Sequence, residues 1–139
     1  MNRSFETNFV VNTSLRNYTG PQPNWAKESE ALRDFIMAHK STIGRNVLID
    51  SHGWLQETYT IGGASSALSK LFSAFFPQNI PQSLDGANGY VSIYAYSLGI
   101  EACLFEFPVD VQHHGDIEAL GYKAAFVNAI LDLINENPH

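Results

Sequence analysis

The hydrophobic and polar positions divide the chain into alternating helical and strand-like segments. Residues 4–24 are polar and rich in turn formers, ending in Gly20-Pro21-Gln22-Pro23-Asn24, and read as a long loop. Asn24 then stands where a helix cap is expected. From Trp25 to His39 the apolar residues Leu32, Phe35 and Ile36 fall on one helical face. The run Val47-Leu48-Ile49, inside Asn46 to Asp50, has the length and composition of a buried strand. Gly62-Gly63 breaks the chain, and Ala64 to Phe76 reads as a helix. Pro77 to Gly89 reads as a loop, and Tyr90 to Leu98 as a short helix stopped by Gly99. Ala102 to Phe107 is a second buried strand, ended by Pro108. Asp116 is placed to cap a last helix, in which Leu120, Ala124, Val127, Ile130, Leu131 and Ile134 keep helical spacing.

Strands alternating with helices predict an α/β fold: a parallel or mixed sheet flanked by helices. With 139 residues, no internal repeat and no linker, a single domain over 1–139 is expected. Hydrophobic residues make up 45% of the chain, enough for a real core. Net charge is −6, and the 8 basic residues form no stripe, so nucleic acid and anionic membrane surfaces are not expected partners. No stretch approaches the roughly 20 apolar residues of a membrane span. The lone Cys103 excludes an internal disulfide and reads as a small buried hydrophobe. The first residues do not form a signal peptide, and nothing in the chain indicates a compartment.

Chemistry concentrates at two strand ends. In Leu48-Ile49-Asp50-Ser51-His52-Gly53-Trp54 a buried strand runs into Asp and His. Strand carboxyl ends are where open α/β sheets bind ligands. Asp50 lies two residues from His52, on the same side of the strand, and suits the role of an orienting partner. The plainer alternative is a structural His closing a strand. In Cys103-Leu104-Phe105-Glu106-Phe107-Pro108 a Glu interrupts an apolar run. Burial raises a carboxyl pKa, which suits a general base. Its alternative is a Glu pointing outward from an edge strand. His113-His114 with Asp116 is a candidate metal cluster whose plainer alternative, the favoured one, is a solvated loop before a helix, and Tyr90, Tyr94 and Tyr96 read as an aromatic cluster that is mostly core.

Four landmarks occur together in one order: Asn2-Arg3-Ser4-Phe5; Tyr18-Thr19-Gly20-Pro21 with Glu28-Ser29-Glu30-Ala31; Ile49-Asp50-Ser51-His52-Gly53; and Gly99-Ile100-Glu101-Ala102-Cys103-Leu104-Phe105-Glu106. In that order the chain resembles the zinc carboxypeptidases. The resemblance implies the C-terminal half of their three-layer catalytic domain. It makes His52 a zinc ligand, with the remaining ligands in a His-x-x-Glu expected upstream. Glu106 becomes the catalytic base, and Asn2 and Arg3 the grip on a substrate carboxylate. Tyr90 is the nearest candidate for the family's mobile Tyr. The implied activity is removal of C-terminal residues from a peptide substrate, with this stretch alone inactive. The alternative is a non-catalytic binding or assembly domain that keeps the fold. A half domain also implies a partner for its exposed face, either the missing half or a second copy.

Overall fold

A computed structural model describes residues 3–14, 17–111 and 113–135. The described residues form an α/β fold with five α-helices and a four-stranded mixed sheet. In chain order these are α1 (Lys27–His39), β1 (Val47–Gly53), β2 (Glu57–Thr60), α2 (Ala67–Phe75), β3 (Ile80–Ser83), α3 (Val91–Ser97), β4 (Glu101–Phe107), α4 (His114–Ala119) and α5 (Tyr122–Asn135), with one 3-10 turn over Gly63–Ser65. The strand order is β1-β4-β2-β3. β2 runs parallel to β3 and antiparallel to β4. By their internal contacts the residues separate into two units, 1–48 with 85–102 and 49–84 with 103–139.

The first unit is built around α3. Residues 91–95 of that helix are all buried. Val91, Tyr94 and Ala95 share a core with Phe5, Ile36, Ile100 and Ala102, and Phe5 stacks on Tyr94 with ring centroids 5.5 Å apart. The N-terminal loop is therefore anchored, not frayed. The Phe5 amide donates to Gly89 O at 2.9 Å, and the Gly89 amide donates to Thr7 O at 3.1 Å. Gly89 has φ +65°, and a Cβ there would meet Arg3 O at 2.3 Å, so only glycine fits this approach. Asn24 does not cap α1: the N-cap is Ala26, without a side-chain cap bond. Asn24 sits at φ +54° and spends its amide on Ser4 O and its side chain on Glu6 Oε1. The loop claimed it before the helix could. Of the expected α1 face only Ile36 is buried, while Phe35 is exposed and stacks on His39 one turn later.

The second unit packs α2 and α5 against one face of the sheet. Phe105 is fully buried, with ring centroids 4.7 Å from Phe76, 4.8 Å from Phe72 and 5.4 Å from Phe126. Aromatic contacts in this geometry add to what area burial alone supplies. Ser66 caps α2, its side chain accepting from the Ser69 amide, which is why the helix starts at Ala67 and not at Ala64. The segment read as a loop over 77–89 contains β3, whose partner β2 was also not read as a strand. Both are four residues long, and β3 carries Pro81. The expected last helix is two helices. Asp116 accepts from the His113 amide at 2.7 Å to start α4, and Gly121 at φ +78° separates α4 from α5.

A candidate acid–base site on one face of the sheet

The second unit brings together Asp50, His52, Glu57 and Glu106. His52 and Glu106 are each the penultimate residue of their strand, β1 and β4, which are neighbours in the sheet. His52 Nε2 lies 2.8 Å from Asp50 Oδ1. The alternation of a strand puts residues i and i+2 on one side, which is why two polar residues flanking Ser51 can meet. With Nε2–H donated to the Asp50 carboxylate, the imidazole is held in one orientation.

Glu106 is only 8% exposed although it is ionisable. The backbone amide of Leu55 bonds its carboxylate, while Oε2 has no partner. Burial pushes the Glu106 carboxyl above its usual range. The positive potential of His52 works against that shift, and the charges of Asp50 and Glu57 add to it. Asp50 is likewise raised, first by burial and against the pull of His52, and its Oδ2 is also unpartnered. Burial with a like charge nearby is a combination found at sites that handle protons.

The sheet register supplies what the residue pattern did not show. Thr58 pairs with Phe105 and Tyr59 with Leu104, so one further step places Glu57 opposite Glu106. Tyr59 pairs with Gln82. Gln82 Nε2 donates to Glu57 Oε1 at 3.0 Å, and the Tyr59 hydroxyl donates to Glu57 Oε2. The face opposite the Phe105 side thus carries Glu106, Glu57, Tyr59 and Gln82. Two further residues fix its end. Gln56, at φ +59°, sends its amide to Phe107 O on β4 and its carbonyl to the Ile80 amide on β3. Asn79 Nδ2 donates to Glu106 O at 2.9 Å. The alternation Glu57-Thr58-Tyr59-Thr60 is a strand signal that could have found β2, and with it Glu57.

Of the other expected site residues, Arg3 and Tyr90 belong to the first unit, where the Arg3 guanidinium stands 4.8 Å over the Tyr90 ring in a cation–π contact. Asn2 and the side chain of His114 lie outside the described residues. His113 Nδ1 is 3.7 Å from Asp116 Oδ2 on an exposed helix end. Among the described residues no group of three or more His, Cys, Asp or Glu is arranged to hold a metal ion. A catalytic zinc takes three protein ligands. His52 with its orienting Asp50 does not make that set, so no step is routed through a metal.

No family model matches the chain. The chain is similar to part of a bacteriocin. The chain is 31% identical over 134 residues to Bacteriocin BCN5 of Clostridium perfringens, a match that covers 96% of this chain. It spans about 15% of the length of that relative. This overturns the zinc carboxypeptidase resemblance. A match over 96% of the chain leads to a bacteriocin, and no carboxypeptidase model, or any other, recognises the chain. The readings as a metallocarboxypeptidase, as half of that family's domain and as a zinc-dependent protease are withdrawn with it. Motifs of four to eight residues built from Gly, Ser and Asn at strand and helix ends recur because turns require those residues, whatever the chemistry.

Proposed function

We propose that the chain is an acid–base hydrolytic domain of a bacteriocin-like antibacterial protein, acting on a bacterial cell-envelope polymer. The observation that supports this is Glu106, a carboxyl buried in an apolar strand with one oxygen unpartnered and its pKa raised. A base works best when its pKa approaches the working pH, and burial moves Glu106 in that direction. In this reading Glu106 takes the proton from an attacking water and returns it to the leaving group. Asp50 orients His52, and the His52 ring offers an N–H dipole to negative charge as it develops next to Glu106. Helices on both faces of the sheet, in three layers, belong to the same proposal, supported by α2 and α5 over the Phe105 face. So does a substrate that contains peptide.

Release of dye from labelled bacterial cell walls tests the reading. The wild-type chain is expected to release dye, and Glu106→Gln to lower the rate by about 10²-fold or more. Asp50→Asn is expected to lower it less, because the imidazole stays in place while its charge loses a partner. No release by the wild type, or an unchanged rate in Glu106→Gln, overturns the proposal.

A further inference from the structure

The two units differ sharply in charge. Residues 1–48 and 85–102 contain six basic and six acidic residues, whereas 49–84 and 103–139 contain two basic and eight acidic ones. The whole net charge of −6 therefore resides in the unit that carries Glu106. Its two basic residues, Lys70 and Lys123, are on α2 and α5, the helices of the aromatic face. The charges that act on Glu106 are those of His52, Asp50 and Glu57, and His52 is already held by Asp50.

Glu57 and Glu106 are directly opposed across β2 and β4, where Cβ atoms stand about 5 Å apart. Like charges so placed destabilise a sheet unless one of them holds a proton, as the raised Glu106 carboxyl does, or a cation lies between them. Glu57 is also held in place from both sides, by Gln82 at 3.0 Å and by the Tyr59 hydroxyl. Glu106 Oε2 and Asp50 Oδ2 are buried acceptors with no donor, a state that costs free energy until a donor arrives. An ammonium group supplies up to three N–H donors and one positive charge.

From this geometry we infer that the Glu57–Glu106 pair binds a protonated primary amine of the substrate. The inference deepens the proposed function, since it names the substrate class as one bearing a free amino group. Glu57 is the specificity-determining residue. It fixes the cation one strand away from Glu106, and a bound ammonium also keeps Glu106 ionised and able to act as a base. A metal ion is the weaker match, because no three of these groups converge on one point among the described residues.

Nα-acetyl-lysine methylamide and its uncharged norleucine counterpart, titrated into the ¹⁵N-labelled chain, test the inference. The lysine compound is expected to shift the amide signals of Tyr59, Gln82 and Glu106 in a saturable manner, and to bind at least tenfold more tightly than the norleucine compound. Glu57→Gln is expected to remove that preference while Gln82 and Tyr59 still have a polar partner. Equal binding of the two compounds by the wild type overturns the inference without reference to any variant. A preference for lysine that survives Glu57→Gln also overturns it. If lysine is preferred but no dye is released from cell walls, the amine site stands and the hydrolytic reading alone falls.

Discussion

At the scale of single residues, the carboxyls of Asp50 and Glu106 set the pH behaviour. Both have pKa values raised by burial above their ordinary 3.8 and 4.5. The folded state therefore holds protons that the unfolded chain has already lost. The stability this contributes is fully present below the ordinary carboxyl range and is lost as pH rises through the raised values. Melting temperatures of the wild type are expected to fall as pH rises above the ordinary carboxyl range, and Glu106→Gln to flatten part of that fall and to melt higher on its alkaline side. A variant that follows the wild type at every pH would show that Glu106 is not the buried titrating group. Zinc calorimetry of the chain is expected to give no stoichiometric submicromolar site, because catalytic zinc sites use three protein ligands. Tight stoichiometric binding would redirect attention to His113 and His114. His52, Asp50 and Glu106 were legible in the sequence, since a polar residue inside or just after an apolar run carries a desolvation cost that calls for a reason. Glu57, Tyr59, Gln82 and Asn79 were not, because what they touch depends on pairing between strands distant in sequence.

At the scale of elements, strength is concentrated where an element meets a partner. Phe105 touches Phe72, Phe76, Phe107 and Phe126. Phe105→Ala is expected to cost about 3–5 kcal/mol in urea unfolding, against under about 0.5 kcal/mol for Val127→Ala on the exposed side of α5. In the first unit, Gly89→Ala is expected to cost about 2 kcal/mol or more, because it forces a side chain into a left-handed backbone and against Arg3 O. A Gly89→Ala variant as stable as the wild type would mean that the N-terminal loop is not fastened there. The helix face of α5 shows how sequence periodicity misleads. Of the expected stripe, Leu120 ends α4, and Ala124, Val127, Ile130, Leu131 and Ile134 lie on α5, yet the buried positions of that helix are Ala129 and Leu133, with Phe126 packing on Phe105. Both stripes are apolar, and only the location of the sheet decides between them.

At the scale of the whole molecule, that second stripe on α5 is the feature with the largest consequence. Val127 is 48% exposed, Leu131 49% and Ile134 60%, all on one side of a 14-residue helix. Apolar surface arranged this way favours association, and a second copy presents the same stripe. Light scattering at micromolar concentration is expected to give a mass above the 15.4 kDa of one chain, and Val127→Glu with Leu131→Glu to return it to that value. A wild-type mass of 15.4 kDa would leave the stripe without a role in self-association. No helix among the described residues is long and apolar enough to cross a membrane.

The sequence by itself determined the α/β class, the strands around Val47 and Phe105, the helices α1 and α3, and the chemical interest of His52 and Glu106. These follow from local rules: apolar runs, periodicity, and the cost of a charge among hydrophobes. Of the two strands, the one around Phe105 alone is buried as expected, since β1 lies at the sheet edge with Val47, Leu48 and Ile49 partly exposed. Only the tertiary structure decided that β2 and β3 exist, that Asn24 serves a loop and not a helix, that Arg3 and Tyr90 satisfy each other, and that Glu57 faces Glu106. Each of those depends on a contact between segments far apart in sequence. A four-residue strand has too little local preference to declare itself, and its side chains acquire a role only when hydrogen bonding to a neighbour fixes which way they point.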